Sequence, residues 1–197
     1  IFTADSTLAE LQEKLTAYTT AENLTAELTQ EGDAFRLTVV GKSAHGSTPE
    51  LGINGATYLA KFLNQFAFEG AAKAYLETAA NVLHGDFAGE NLGVAYTDEK
   101  MGALSMNAGV FKFDRNSDDN TITLNFRYPQ GTDAQTIKAE LEKLNGVTKV
   151  TLSDHEHTPH YVPADDPLVA TLLSVYEKQT GLKGYEQVIG GGTFGRL

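Results

Sequence analysis

The sequence predicts the α+β class: antiparallel sheets covered on one face by helices, arranged as a tandem of ferredoxin-like layers. Two observations predict it. The element order reads helix, strand, strand, helix and then, after a further helix, strand, strand, helix, strand, helix, so strands arrive as hairpins rather than alternating singly with helices. The same unit, a hairpin followed by a helix, also occurs in both halves, although no residue-level repeat accompanies it.

Leu8, Leu11, Leu15 and Tyr18 recur at helical spacing, and Thr7 with Glu10 has the form of a capping box, which predicts a helix over about 7–19. Alternating runs at about 24–29 and 34–40, separated by Glu31-Gly32-Asp33, predict a hairpin. A loop rich in Gly, Ser and Pro covers 41–52. Asn54 then opens a helix whose Ala56, Ala60, Leu63 and Ala67 share a stripe, and an Ala-rich helix follows at about 71–83. Residues 85–102 are weakly patterned and read as irregular. Two longer strands, at about 104–113 and 121–128, flank Ser117-Asp118-Asp119-Asn120 as a second hairpin. Alternation in the second of these puts Ile122, Leu124, Phe126 and Tyr128 on one face and Thr123, Asn125 and Arg127 on the other. Thr132 with Gln135 is expected to cap a helix carrying Ile137, Leu141 and Leu144, and a strand is expected at about 147–153. The last helix is capped by Asp166, started by Pro167 and ended by Gly181.

Composition excludes several kinds of chemistry. The 197 residues suit one large or two small domains and contain no cysteine, so disulfides, thiolate metal sites and cysteine nucleophiles are ruled out. With 15 Lys+Arg against 26 Asp+Glu the formal charge is −11, and the basic residues are scattered singly. Such a surface lacks the basic patch that nucleic acid or an anionic membrane would require. No apolar run has the length of a membrane span and no signal segment opens the chain, which predicts a cytoplasmic protein. The chain opens on Ile1 and ends in the glycine-rich run 190–197, and reads as a piece of a longer polypeptide.

Five motifs bear on function. Gly41-Lys42-Ser43 has the last residues of a phosphate loop, but Arg36 occupies the place of the required earlier glycine and no helix is predicted to start at Lys42. His45 lies in Ser43-Ala44-His45-Gly46-Ser47-Thr48-Pro49, where small neighbours leave the imidazole free to reach a ligand or simply to meet solvent. A histidine so placed can donate a hydrogen bond to developing negative charge. Asp154-His155-Glu156-His157 with His160 has spacing that can hold zinc. Lacking a third ligand on a rigid element, it reads rather as a solvated strand end. Arg127 offers a planar fork that takes a carboxylate bidentately, and Asn125 on the same face can add a donor, although pairing of Arg127 with a surface acid is equally open. Gly190-Gly191-Gly192-Thr193 would let backbone N–H groups approach a ligand, or serve as a linker.

Together the His45 loop, Asn125-Phe126-Arg127-Tyr128-Pro129, Pro159-His160-Tyr161-Val162-Pro163 and Gly190-Gly191-Gly192-Thr193-Phe194-Gly195-Arg196 resemble the PepV-type bacterial dipeptidases, from about Leu24 to the end. These are members of the zinc-dependent exopeptidases that also include aminoacylases and carnosinases. The resemblance implies that 1–158 form a lid, doubled in the PepV type, and that 159–197 begin a returning segment of an α/β zinc-exopeptidase domain. It implies that His45 polarises the scissile carbonyl and stabilises the oxyanion, that Arg127, with Asn125 beside it, grips the free carboxylate of a dipeptide substrate, and that Thr193 and Arg196 border the substrate. Two zinc ions are implied for the full-length enzyme, held by a His-x-Asp segment, a Glu-Glu pair, a further Asp and a final His. None of these has a counterpart in this sequence, so the chain alone is expected to bind no metal and to be inactive without the catalytic domain. The competing expectation is a stand-alone ferredoxin-like module that binds an amino acid or peptide and regulates a partner.

Overall fold

Thr7 builds the capping box its sequence predicts: its hydroxyl accepts the Glu10 amide at 3.3 Å while the Glu10 carboxylate accepts the Thr7 amide at 2.8 Å. The helix this starts, α1 (Leu8–Glu22), buries Leu11 and Leu15 and ends on Asn23 in the left-handed conformation. The computed structural model describes residues 1–154 and 156–188. After α1 come β1 (Thr25–Glu31), β2 (Ala34–Val40), α2 (Gly55–Leu63) and α3 (Gly70–Glu77), which runs on into a π-helical turn at Thr78–Val82. The second half holds β3 (Thr97–Asp98), β4 (Gly102–Ala103), β5 (Ser105–Lys112), β6 (Thr121–Arg127), α4 (Ala134–Leu141) and α5 (Pro167–Thr180).

The α+β class holds, with antiparallel two-stranded sheets β1–β2, β3–β4 and β5–β6 among the described residues. Each of the two longer hairpins carries its own core. The first joins Leu28, Phe35 and Leu37 of β1–β2 to Leu11 and Leu15 of α1 and to Phe62 and Leu63 of α2, with Phe2 bridging Phe35 at the sheet edge. The second joins Met106 and Ala108 of β5 to Leu83, Leu92, Val94 and Ile137, and Ile122, Leu124, Phe126 and Tyr128 pack on it from one face of β6 as alternation requires. Small residues make the seam between them: Ala60 of α2 and Ala79 and Ala80 of the π turn pack together, with Phe111 of β5 against them.

Three local expectations are corrected. Helix α4 is capped by Asp133, not Thr132; its carboxylate accepts the Thr136 amide at 2.7 Å, and a negative charge at a helix N-terminus is further favoured by the helix dipole. No strand forms at 147–153. Val147 falls on the opposite face from Val150 and Leu152, so an extended chain there has no single face to bury, and the segment joins no ladder among the described residues. Helix α2 ends at Leu63, which leaves Ala67 outside the stripe.

The weakly patterned region hides a built turn. Asp86 is 7 % exposed, and its Oδ1 accepts the amides of Ala88, Gly89 and Glu90 while Oδ2 accepts that of Asn91. These bonds organise the chain that delivers Leu92 and Val94 to the second core. Asp86→Ala leaves those donors without a partner and is expected to cost about 2–3 kcal/mol, with Asp86→Asn losing less because it keeps one oxygen. Urea unfolding checks this: a midpoint for Asp86→Ala that stays with the wild type would remove the turn from the stability account.

Candidate functional site

The loop after β2 is pinned at its base. The Lys42 amide donates to the Ile53 carbonyl at 3.0 Å and the Ile53 amide returns to Lys42 at 2.9 Å, so 42–53 leave and rejoin the body at one place. Glycine permits this closure: a Cβ on Gly41 would stand 2.7 Å from the Ile53 carbonyl, and one on Gly52 would stand 2.8 Å from that of Lys42. The backbone of Lys42 is thereby spent on the bridge and no helix starts there, so the phosphate-loop reading of Gly41-Lys42-Ser43 stays rejected.

Asn54 fastens the loop base to the second half. Its Oδ1 caps α2 by accepting the Thr57 amide, and its Nδ2 donates to the Ala108 carbonyl of β5 at 2.7 Å. Ala108 borders a bulge at which β5 slips register against β6. The sequence signalled the cap, but the partner 54 residues away has no local signature.

His45 sits within this loop, exposed, on a turn closed by the Thr48 amide donating to the His45 carbonyl at 2.9 Å. Its Nδ1 accepts the Ser47 amide at 3.2 Å and lies 2.7 Å from the Ser47 hydroxyl. Next to it, a Cβ built on Gly46 would lie 3.6 Å from Asn125 Oδ1, so the loop and the polar face of β6 are neighbours. On that face Asn125 stands opposite Asn107 and Arg127 opposite Ser105. The structure therefore brings together the His45 loop, Asn125 and the strand end carrying Arg127. Thr193 and Arg196 lie outside the described residues, as does His155.

Arg127 is the electrostatic oddity. Its Nε is buried with no hydrogen-bond partner, and none of the ion pairs among the described residues involves it. A buried guanidinium nitrogen left unsatisfied is costly, and a native chain tolerates one where another group completes it. An anion with in-plane oxygens meets that need.

Among the described residues no group of three or more His, Cys, Asp or Glu converges as a metal site. Nor is any described helix long and apolar enough to cross a membrane.

Under the loop base, His84 Nδ1 lies 3.1 Å from the hydroxyl of buried Thr57, which in turn donates to the Asn54 carbonyl, and the ring meets Tyr58 edge-on. Burial holds the His84 pKa below its ordinary 6.5, Lys61 lowers it further, and Glu22, paired with Lys61, opposes. A histidine kept neutral in the fold contributes stability fully present above its unfolded pKa and lost as pH falls below it toward the folded value. The melting temperature is expected to drop as pH goes from about 7 to about 5, with a shallower drop in His84→Gln; parallel curves for the two would contradict this.

Residues 33–149 match the family model for the peptidase dimerisation domain. A Beta-Ala-Xaa dipeptidase of Lactobacillus delbrueckii subsp. lactis is 48% identical over 162 residues, covering 82% of this chain and 34% of the relative. The "Putative dipeptidase" of Staphylococcus epidermidis is 33% identical over 177 residues (88% and 37%), and the "Putative dipeptidase YtjP" of Bacillus subtilis 32% over 166 (84% and 35%). The chain spans about a third of the length of these curated relatives. By this match over more than half its length, the chain belongs to the peptidase dimerisation domain family.

Proposed function

We propose that this chain closes over the substrate of a zinc-dependent dipeptidase, with Arg127 and Asn125 holding the free carboxylate of a dipeptide and His45 donating to the oxyanion. One observation carries the reading: the buried, unpartnered Nε of Arg127 shares a strand face with Asn125, and Asn125 adjoins the loop that carries His45. The guanidinium fork matches a carboxylate in plane, and Asn125 can add a further donor. A neutral histidine with a free ring N–H suits the charge that develops on a carbonyl oxygen under attack. Thr193 and Arg196 belong to this reading through the resemblance alone.

The two zinc ions implied by the resemblance supply, when bound, the activation of water. In this reading their ligands lie elsewhere in a longer protein, because the ligand segments that the resemblance implies have no counterpart in this sequence. The same reading divides the chain near 158. It is supported by α5, which buries no residue and exposes Leu168, Leu172, Val175 and Tyr176 at helical spacing, a face suited to packing on the rest of the protein. The relatives are named dipeptidases rather than regulatory modules, which favours this over a stand-alone peptide-binding domain. A cysteine-free chain accords with a reducing compartment such as the cytoplasm.

The complete protein is expected to hydrolyse a free dipeptide such as Leu-Leu roughly a hundredfold faster, in kcat/KM, than the same dipeptide with its carboxyl amidated. Equal rates on the two would overturn carboxylate recognition. Hydrolysis of Leu-Leu by residues 1–197 alone would overturn the lid reading.

A further inference from the structure

We infer that Ser47 is a positioning residue that fixes the tautomer of His45, so that the proton of the neutral ring stays on Nε2.

The donor inventory carries the inference. A backbone amide can only donate, so the Ser47 N–H at 3.2 Å requires a lone pair on His45 Nδ1. Neutral imidazole has a proton on one nitrogen alone, so the other, Nε2, carries it. The Ser47 hydroxyl, 2.7 Å from the same Nδ1, is at the ordinary distance for an O–H donor and reinforces the choice. Both contacts come from one residue, held by the turn that the Thr48 amide closes onto the His45 carbonyl at 2.9 Å. Pro49, buried directly after it, opens a short 3₁₀ turn that the Leu51 amide secures to the Thr48 carbonyl at 3.2 Å. The turn is in turn part of the loop clamped by Lys42 and Ile53.

Most exposed histidines exchange freely between tautomers. His45 is exposed, yet its ring is folded back on its own turn and hydrogen-bonded through one nitrogen. The spacing that achieves this, His-x-Ser with a glycine between, places an amide and a hydroxyl two residues on where both reach the ring. The chemical consequence is a neutral N–H donor at Nε2, the form an oxyanion needs and a general base does not. That purpose rests on the reading of His45 as the oxyanion donor. The tautomer itself does not.

Long-range ¹⁵N correlation spectra of the labelled 197-residue chain, at mildly alkaline pH and with His45 assigned by the loss of its signals in His45→Gln, test the inference. Expected is a His45 Nδ1 shift in the unprotonated, pyridine-like range and an Nε2 shift in the protonated, pyrrole-like range. Ser47→Ala keeps the amide and loses the hydroxyl, so its two shifts are expected to move toward each other, and Ser47→Thr is expected to restore them. Wild-type shifts at the averaged values of a free imidazole, or a Ser47→Ala spectrum that superimposes on the wild type, would overturn the assignment. In the complete enzyme Ser47→Ala is expected to lower kcat roughly tenfold with KM little changed, as loss of one orienting hydrogen bond predicts. If His45→Ala abolishes turnover while the Ser47→Ala tautomer is unmoved, the positioning role fails and the oxyanion role stands. If the tautomer is locked but His45→Ala turns over normally, the oxyanion role fails and the lock stands.

Discussion

In the complete protein His45→Ala is expected to lower kcat for dipeptide hydrolysis about 10²–10³-fold while leaving KM within a fewfold of the wild type. The split follows from where the contact acts. A neutral donor meets a carbonyl oxygen weakly in the bound substrate and strongly once negative charge has built up, so its removal raises the barrier and leaves ground-state binding nearly untouched. Structural collapse is not a rival explanation for such a result. His45 is exposed and, among the described residues, its ring hydrogen-bonds only within its own turn, whose closure uses the His45 backbone carbonyl rather than the ring. Steady-state kinetics with melting curves on the same preparations makes the comparison. A His45→Ala enzyme that loses affinity but keeps its kcat would assign the residue to substrate binding.

Arg127→Met is expected to produce the opposite pattern, a KM raised roughly a hundredfold with a smaller change in kcat. The carboxylate of a dipeptide is ionised both before and during reaction, so the grip on it is uniform binding. Its magnitude, about 3 kcal/mol, is that of a charge-assisted pair sheltered from water rather than of a surface ion pair. Methionine of similar length fills the space and removes the unsatisfied Nε, so the variant is expected to melt no lower than the wild type. Arg127→Lys keeps the charge and loses the fork, and is expected to fall between the two. Substrate-dependent initial rates check the order. A methionine variant with unchanged KM would leave the half-buried Arg127 with a purely structural role.

Local chemistry was legible in the sequence wherever the partners are near in the chain. The Thr7–Glu10 box, both longer hairpins and the division of β6 into an apolar and a polar face follow from patterns a few residues long. The same rules misplaced the α4 cap by one residue, because Thr132 and Asp133 are both good caps and only the backbone decides which stands outside the helix. They failed at 147–153, where a strand was expected but the uneven spacing of Val147, Val150 and Leu152 gives no single face to bury. Asp86 was invisible for a different reason. It caps a turn of consecutive amides inside a segment with no periodicity to draw attention.

For the site, residue types were legible and their assembly was not. The sequence placed Asn125 and Arg127 on one face and His45 in a loop of small residues, and only the family resemblance, no local pattern, joined the two. That junction depends on Gly46 reaching Asn125 and on Asn54 reaching across 54 residues to the Ala108 carbonyl. Nor does any pattern reveal that Arg127 Nε is buried without a partner, which is a property of packing alone.

The central claim is that Arg127 meets the carboxylate of the substrate, and a double-mutant cycle between enzyme and substrate tests it most directly. The complete wild-type and Arg127→Met proteins are each assayed on Leu-Leu and on its C-terminal amide. If the contact is real, the wild type discriminates between the two and the variant does not, with a coupling energy of about 2–3 kcal/mol. If Arg127→Met rejects the amide as strongly as the wild type does, some other group reads the carboxylate and the account is wrong.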